Sequence, residues 1–225
     1  MSSMMKSTPV AYFQKKLNPK MGEVNGMQVA MSFDTVDLEQ DRNQKLAVTD
    51  VSFRQRFGVK GPHASQWLAS QKINTPDSVN SWVMDNDVLV LRLGSSEFLI
   101  EQQVSGQVCT QLDQAIQTDT LGVYKVLRAD AAFVISGDQM LTMFSELCKL
   151  DLTEKALKPN QVIMTQVADI SATIVPEIIN DRLVIRLWCD GTYGGYMWRV
   201  LHQLAQEQGG GAVGLTNCFK HNNEI

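Results

Sequence analysis

The chain has 225 residues, of which 44% are hydrophobic and 20% are charged, and this composition is typical of a globular protein with a sizeable core. Its formal charge of −4 and its lack of a basic stripe argue against nucleic-acid binding. No apolar run is long enough for a membrane helix, and the first residues lack the apolar core of a secretory signal. We therefore expect a cytoplasmic protein that binds neither nucleic acid nor membrane.

Residues 1–45 are polar, rich in Gln and Asp, and weakly periodic, which predicts an irregular N-terminal arm. Regular elements begin at residue 46. The alternation in "FRQRFGVKG" predicts a strand, and "GPHASQWLAS" predicts a helix with Pro62 at its first position. Two strand-like runs flank a turn at residues 85–87, and a third follows Gly94. The segment "SGQVCTQLDQAIQ" predicts an amphipathic helix with Ser105 as a candidate N-cap.

The second half of the chain has the same order of elements. "AAFVISG" predicts a strand and "DQMLTMFSELCKL" predicts a helix. A long strand-like run then extends to about Pro176, "INDRLVIRLW" predicts a further strand, and "GGYMWRVLHQLAQ" predicts the last long helix. The segment "QGGGAVGL" is interpreted as a helix stop followed by a flexible link.

Three segments of the first half recur in the second half in the same order. Phe57 and Gly61 match Phe133 and Gly137, "DNDVLVLRLG" matches "INDRLVIRLW", and the two long helices also match. This order predicts an α+β fold in which duplicated β-α-β-β-α units form a pseudo-twofold, two-lobed body. The predicted domains are the arm at 1–45, a first repeat at 46–120, a second repeat at 121–212, and a tail at 213–225.

The chemically active residues are few. Cys109, Cys148, Cys189 and Cys218 are far apart in the sequence and show no zinc-binding spacing, so we expect reduced, buried thiols and no metal site. His63, at a loop–helix junction, is the best candidate for a general base. The other two histidines, His202 and His221, are interpreted as structural or solvated.

Two arginines and an aromatic cluster are weak candidates for binding. Arg92 and Arg186 occupy matched positions of the repeat, where they could clamp a carboxylate, although apolar stems that cover the sheet are the favoured interpretation. Trp188, Tyr193 and Tyr196 belong to the densest aromatic patch, which is either a partner interface or the core of the second repeat. Within it, "DGTYGG" could hold an anion before the last helix, but a turn with positive-φ glycines is favoured.

Several short motifs carry a resemblance to a known family, and they lie within about residues 46 to 212. They are Arg128, Asp130, Phe133 and Gly137; the pair Asp151 and Leu152; Pro159 before Thr165; and Tyr196, Trp198 and Leu201. With these motifs the chain resembles the gamma subunit of heterotetrameric sarcosine oxidase, a branch of the glycine-cleavage T-protein (aminomethyltransferase) superfamily.

The resemblance implies a non-catalytic, gamma-like subunit of a complex that oxidatively demethylates a secondary amine and transfers one carbon to tetrahydrofolate. It implies that large flavin- and folate-binding partner subunits carry FAD, FMN, NAD, tetrahydrofolate and zinc, and that this chain carries none. It also implies that the C-terminal barrel of full T-proteins is lacking. The alternatives are a stand-alone folate-binding aminomethyltransferase-like protein and an adaptor that uses the aromatic patch.

Overall fold

The computed structural model describes residues 6–102, 106–116, 120–153 and 155–218, and these form a mixed α+β fold. Ser105 and His221 lie outside the described residues. The strands are β1 (Lys6–Ser7), β2 (Lys20–Val24), β3 (Met27–Ser32), β4 (Ala47–Asp50), β5 (Arg56–Lys60), β6 (Ser81–Asp85), β7 (Val88–Arg92), β8 (Glu97–Gln102), β9 (Tyr124–Val126), β10 (Asp130–Ser136), β11 (Ile163–Val167), β12 (Ile170–Ile179), β13 (Arg182–Asp190) and β14 (Gly211–Ala212). The helices are α1 (Ala11–Lys15), α2 (Val36–Lys45), α3 (Ala64–Ser70), α4 (Val108–Ala115), α5 (Met140–Leu147), α6 (Gly194–Glu207) and α7 (Leu215–Cys218), with a 3-10 turn at Gly191–Tyr193.

The described residues divide into two compact units. Unit 1 comprises Met1–Phe53, Asp130–Lys158 and Met164–Ile225. Unit 2 comprises Arg54–Ala129 and Pro159–Ile163. The predicted first repeat includes residues 47–50, but β4 pairs with β10 and so belongs to the sheet of unit 1. The predicted boundaries at 46 and 121 therefore differ from the observed division.

Unit 1 contains a six-stranded sheet in the order β11-β12-β13-β10-β4-β14 and a three-stranded sheet in the order β1-β3-β2. Helix α6 packs on the six-stranded sheet because its apolar residues recur at helical spacing, and the ring of Trp198 lies 6.3 Å from that of Phe133. The helix ends at Glu207, and Gly209 follows two residues later with a φ of +74°, a left-handed conformation that glycine adopts readily.

Unit 2 contains a five-stranded sheet in the order β6-β7-β8-β5-β9, and helices α3 and α4 belong to it. Strand β7 is a nearly continuous apolar run and β8 contains the apolar run Phe98–Ile100, and both runs are buried on both faces of the sheet. The core combines alternate residues of β5, β7 and β8 with one side of α3 and of α4. These residues include Phe57, Val59, Ala64, Leu68, Val90, Phe98, Ile100 and Leu112.

The two larger sheets share an order of four strands. Strands β6-β7-β8-β5 in unit 2 correspond to β11-β12-β13-β10 in unit 1, and a helix follows β5, β8, β10 and β13. In each unit a glycine with positive φ joins the strand to the helix, namely Gly61 (+128°) and Gly137 (+113°). A β-carbon at Gly137 would lie 2.5 Å from the carbonyl oxygen of Lys45, so close backbone approach explains this part of the sequence match.

The predicted equivalence of Arg92 and Arg186 is wrong. Arg92 ends β7, which pairs with β6 and β8, whereas Arg186 lies within β13, which pairs with β12 and β10. Since β13 corresponds to β8, the position that corresponds to Arg186 is Leu99. Leu99 pairs with Gly58, which follows Phe57, and Arg186 pairs with Val134, which follows Phe133. The sequence match was misleading because an Asn-Asp turn followed by an apolar strand occurs both in the β6–β7 hairpin and in the β12–β13 hairpin.

The expectation of an irregular arm is wrong for residues 6–45, which contain three strands and two helices. Strands β2 and β3 form an antiparallel hairpin across Asn25 and Gly26, whose φ angles are +51° and +72°. An Asn-Gly pair with two positive φ angles is the strongest short-range signal for a two-residue hairpin. The signal was present, but the polar composition around it concealed it.

Two further predictions were incomplete. The run predicted as one strand before Pro176 is a hairpin of β11 and β12, which turns at Ala168 and Asp169 with positive φ at both residues. The turn lacks Gly, Asn and Pro, so composition does not reveal it. The predicted flexible link after α6 instead contains β14, which pairs in parallel with β4 and is buried.

Candidate functional site

Helix α1 packs against the start of α6, and Gly195 makes this contact possible. A β-carbon at Gly195 would overlap the ring of Phe13, and one at Gly194 would lie 2.8 Å from the β-carbon of Ala131. Gly191, Gly194 and Gly195 do not have positive φ. The favoured interpretation of "DGTYGG" as a positive-φ turn is therefore wrong: Gly194 and Gly195 allow close packing at the start of the helix.

Around this contact lies an exposed group of aromatic and basic side chains, which we call the tyrosine surface: Tyr12, Phe13, Lys16, Tyr193, Tyr196 and Arg199. The exposed fractions of Tyr12, Tyr193 and Tyr196 are 68%, 49% and 40%. The ammonium of Lys16 lies 4.6 Å from the centre of the Tyr12 ring, and the guanidinium of Arg199 lies 5.4 Å from that of Phe13. Residues three apart on a helix share a face, which places Tyr196 beside Arg199.

The charge at the tyrosine surface is opposite to that of the whole chain. Residues 6–22 contain four lysines and no acidic residue, although the formal charge of the protein is −4. Asp190 is the acidic residue that precedes the 3-10 turn; hydrogen bonds from the hydroxyl and the backbone N–H of Thr192 lower the pKa of its carboxyl group. Tyr and Arg are enriched at the energetic centres of protein interfaces, so this composition favours protein contact.

The tryptophans do not belong to this surface. Trp188 is only 3% exposed and lies in β13 between Ala132 and Thr173, so its prediction as an interface residue is wrong. It is buried because β13 is covered on both faces. Trp198 is also buried and stacks on His202 with ring centres 5.6 Å apart. Burial, and after it the nearby charge of Arg42, lower the pKa of His202 and so favour its neutral form.

Arg92 does not present a vacant guanidinium to a ligand, because it binds backbone carbonyls of two loops. Its Nη1 donates to Asp77 at 2.8 Å and to Pro76 at 3.1 Å, while Nη2 donates to Ser95 at 3.1 Å. The guanidinium also lies 5.6 Å from the ring centre of Phe98. Neither the carboxylate clamp nor a simple outward-facing stem describes this residue, which fastens the loops before β6 and after β7.

We expect Arg92→Ala to lower the free energy of unfolding by about 1–2 kcal/mol, because four loop carbonyls lose a charged donor at a partly exposed position. Arg92→Lys should lose nearly as much, since one ammonium cannot span both loops. Urea unfolding followed by tryptophan fluorescence measures the change. Equal stability of wild type and Arg92→Ala would contradict this role.

Arg186 is likewise engaged within the fold. Its side chain is buried, and Nε donates to Oε2 of Glu177 on the neighbouring strand β12 at 2.5 Å. His63 precedes α3 and is exposed, and its ring forms no hydrogen bond with another described residue. The general-base assignment of His63 therefore remains a prediction without a supporting partner in the described part of the chain.

A buried charge cluster in unit 2 was missed by sequence reasoning. Glu101 lies between two arginines: its Oε2 is 2.7 Å from Nε of Arg56, and its Oε1 is 3.5 Å from Nη1 of Arg54. All three side chains are almost fully buried. The available signal was the pair of arginines in "FRQRF", which alternate with the strand period and face the same side as Glu101.

Two cysteines of the core have raised pKa values, which disfavours the reactive thiolate form. Burial raises the pKa of Cys109 and of Cys189 to about 12 from an ordinary value of 9.0, and the charges of Asp130 and Asp190 contribute for Cys189. Cys148 is buried as well, whereas Cys218 is half-buried. Among the described residues, no group of three or more His, Cys, Asp or Glu side chains is arranged to hold a metal ion.

We expect iodoacetamide at pH 8 to label Cys218 much faster than Cys109 or Cys189 in the folded protein. The folded state holds both buried thiols protonated up to about pH 12, while the unfolded chain loses these protons near pH 9. Their contribution to stability is therefore complete below pH 9 and is lost between pH 9 and 12. Mass spectrometry of the labelled peptides measures the rates, and equal labelling of all four cysteines would refute the assignment.

The fold is shared with two solved proteins of related architecture. The structure aligns with the glycine cleavage system aminomethyltransferase T from Bartonella henselae at a TM-score of 0.73 and 14% identity, over 96% of this chain and 61% of that chain. This chain has the aminomethyltransferase T fold. It therefore spans about 61% of the length of that relative.

The second neighbour is heterotetrameric sarcosine oxidase from Corynebacterium sp. U-96, solved in complex with pyrrole 2-carboxylate. The TM-score is 0.61 at 16% identity, and the alignment covers 76% of this chain and 90% of that chain. No family model and no curated protein matches the sequence. The resemblance that the sequence motifs predict is thus confirmed as a likeness of fold.

None of the described helices is both long and apolar enough to cross a membrane.

Proposed function

We propose that this protein is a gamma-like, non-catalytic subunit of a sarcosine oxidase-type complex that oxidatively demethylates a secondary amine. The observation that carries the proposal is the alignment with a chain of heterotetrameric sarcosine oxidase, which covers 90% of that chain. The neighbour's subunit is thus nearly spanned by this fold and works within a hetero-oligomer. By analogy, this chain contributes structure to an assembly.

The tyrosine surface is the proposed contact with the large partner subunits. Its exposed Tyr12, Tyr193 and Tyr196 supply rigid aromatic area, and Lys16 and Arg199 supply positive charge beside it. Aromatic residues lose little conformational entropy on binding, and the local charge selects an acidic partner surface. Within this proposal the partners carry FAD, FMN, NAD, tetrahydrofolate and zinc, and the complex is cytoplasmic.

The repeat architecture is part of the same proposal. The shared strand order β6-β7-β8-β5 and β11-β12-β13-β10, with glycines at matched strand ends, supports a duplicated β-α-β-β-α unit. The alignment covers 61% of the aminomethyltransferase chain. The pseudo-twofold, two-lobed arrangement remains a prediction.

Affinity capture of the tagged chain from its own cells tests the proposal, with mass spectrometry of the partners and an absorbance scan for flavin. We expect two large partners and a flavin spectrum. The double variant Tyr196→Ala with Arg199→Glu should reduce capture at least about tenfold, because it removes an aromatic anchor and reverses a charge. Tyr124→Ala, at a tyrosine that is 58% exposed in unit 2, is the matched control and should capture normally. A colourless chain recovered alone would reject the proposal.

A second candidate function is a stand-alone folate-binding protein that transfers a one-carbon unit. The observation in its favour is the alignment with aminomethyltransferase T, which covers 96% of this chain and has the higher TM-score. Titration calorimetry of the purified chain with tetrahydrofolate distinguishes the two. Binding by the isolated chain supports the second function, and no heat of binding together with flavin-containing partners supports the first.

A further inference from the structure

Strand β1 and helix α1 lie within residues 6–17, which we call the N-terminal strap. Strand β1 pairs with β3 over only two residue pairs, Lys6 with Met27 and Ser7 with Gln28. Helix α1 has five residues, and a helix this short is unstable in water unless it packs on other parts of the protein. The strap therefore stays docked on unit 1 mainly through the packing of its side chains.

Apolar side chains of the strap favour the docked state. Val10 is fully buried and Ala11 is 5% exposed. A β-carbon at Gly194 would lie 3.6 Å from Cγ1 of Val10, so Val10 packs against the start of α6. The ring of Phe13 lies where a β-carbon of Gly195 would be. Removal of this apolar surface from water holds the strap on α6.

Two polar atoms of the strap oppose docking. Thr8 is 4% exposed and Gln14 is 1% exposed. The hydroxyl of Thr8 and the amide oxygen Oε1 of Gln14 are closed off from solvent, and neither forms a hydrogen bond with another described residue. Water hydrates both atoms once the strap leaves α6. Each unmade hydrogen bond shifts the equilibrium toward the open strap by about five- to a hundredfold.

These opposing effects are similar in size. Burial of one valine side chain favours the docked state by about ten- to a hundredfold, which is no more than the two polar atoms oppose. The backbone N–H groups of Phe13 and Gln14 donate to Val10, within the strap itself, so these bonds need not break when the strap leaves. A segment with so small a net stability opens locally while the rest of the domain stays folded.

Half of the tyrosine surface belongs to the strap. Its members on the strap are Tyr12, Phe13 and Lys16, and its members on the 3-10 turn and α6 are Tyr193, Tyr196 and Arg199. The guanidinium of Arg199 lies 5.4 Å from the ring centre of Phe13, and this contact joins the two halves. Opening of the strap therefore separates the halves, and docking assembles them.

We propose that the N-terminal strap opens and closes on α6, and that only its closed state presents the complete tyrosine surface. A partner that contacts both halves binds the closed state better and so holds the strap closed. The fraction of molecules with a closed strap then sets the apparent affinity for the partner. This control of partner binding rests on the subunit function proposed above, whereas the opening of the strap does not.

Hydrogen exchange of the full chain, followed by mass spectrometry of its peptides, measures the opening without any partner. The amides of Phe13, Gln14 and Leu17 are hydrogen-bonded within the strap and report its opening. We expect their protection to be at least about a hundredfold lower than that of amides in the middle of α6. Equal protection of the strap and α6 would overturn the proposal.

The double variant Thr8→Val with Gln14→Met tests the cause of the opening. It removes both orphaned polar atoms and keeps side chains of similar size, so exchange of the strap should slow at least about tenfold. Lys15→Met is the matched control, because it places the same side chain at an exposed position of the same helix. It should change the exchange of the strap by less than about twofold. Equal exchange in the double variant and the wild type would refute the assigned cause.

Val10→Asp tests the link between the strap and partner binding. It introduces a charge at a fully buried position and leaves every side chain of the tyrosine surface in place. We expect the strap to exchange like an unstructured peptide, α6 to stay protected, and partner capture to fall at least about tenfold. Val10→Ala, a milder change, should move exchange and capture in the same directions.

The outcomes separate the strap from the subunit function. Full partner capture by a variant whose strap is open would overturn the control of binding. Loss of α6 protection in both Val10 variants would show that the strap does not open independently, which would also overturn the proposal. No partner capture by the wild type, together with the predicted exchange of the strap, would reject the subunit function and the control that rests on it, but not the opening.

Discussion

Replacing Glu101 by alanine is expected to lower the free energy of unfolding of unit 2 by about 3–5 kcal/mol. Its carboxylate contacts the buried guanidiniums of Arg54 and Arg56, and all three side chains are almost fully buried. Loss of the anion removes the carboxylate that both guanidiniums contact, in a medium of low dielectric constant where a charged side chain is poorly hydrated. Urea unfolding followed through Trp67 and Trp82, the tryptophans of unit 2, measures the effect.

The matched control is Glu97→Ala on the same strand. Glu97 pairs with Arg128 at 3.1 Å, but the Glu97 side chain is 40% exposed. Exposed ion pairs contribute little because water screens them, so the loss should stay below about 1 kcal/mol. If both alanine variants lost the same free energy of unfolding, burial would not explain the contribution of the Glu101 cluster to stability, and this interpretation would be wrong.

Substitution of Gly137 by alanine is expected to destabilise unit 1 by about 3 kcal/mol or more, through two additive causes. Its φ of +113° is rarely adopted by residues with a side chain. The new β-carbon would also lie 2.5 Å from the oxygen and 2.7 Å from the next backbone nitrogen of the Lys45–Leu46 segment. Backbone atoms cannot move aside as a flexible side chain can. Thermal unfolding of the purified variant measures the loss.

Gly26→Asn provides the control for positive φ alone. Gly26 has a φ of +72°, and a β-carbon there would meet nothing within 4 Å. Asn tolerates the left-handed region, so the cost should be below about 1 kcal/mol. A large loss of stability in Gly26→Asn together with a small loss in Gly137→Ala would contradict close backbone approach as the reason for a glycine at the strand–helix junction.

Local signals in the sequence predicted most of the regular elements from β5 onward. Apolar periodicity located α4, α5 and α6, and the strand–glycine–helix phrase located β5 and β10, because these patterns arise from the geometry of a single element. The signals failed where the cause was not local. Strand β14 is only two residues long, and its pairing with β4 depends on residues far away in the sequence.

The site residues were harder to predict because residue type does not reveal what a side chain touches. Tyr193 and Tyr196 were singled out and are exposed, while Trp188 was singled out with them and is buried. Arg92 was considered a ligand clamp, yet its hydrogen bonds go to loop carbonyls.

The tyrosine surface links the observed fold to the proposed assembly. Helix α1 packs on α6 because Gly195 has no side chain, and that contact places Phe13, whose ring touches that of Tyr12, beside Arg199. A surface of this composition on an otherwise acidic protein is consistent with a docking role. The sequence segment that was interpreted as a turn thus contributes to the proposed interface through packing.

The most direct test of the subunit role is the mass and the flavin absorbance of the native particle that contains this chain. Both are measured during size-exclusion chromatography of a cell extract enriched through a tag, the mass by light scattering and the flavin by its absorbance. We expect one peak, much heavier than the 25.1 kDa chain, that contains this protein, two large partners and bound flavin. A peak at the mass of the chain alone, without flavin absorbance, would contradict the account.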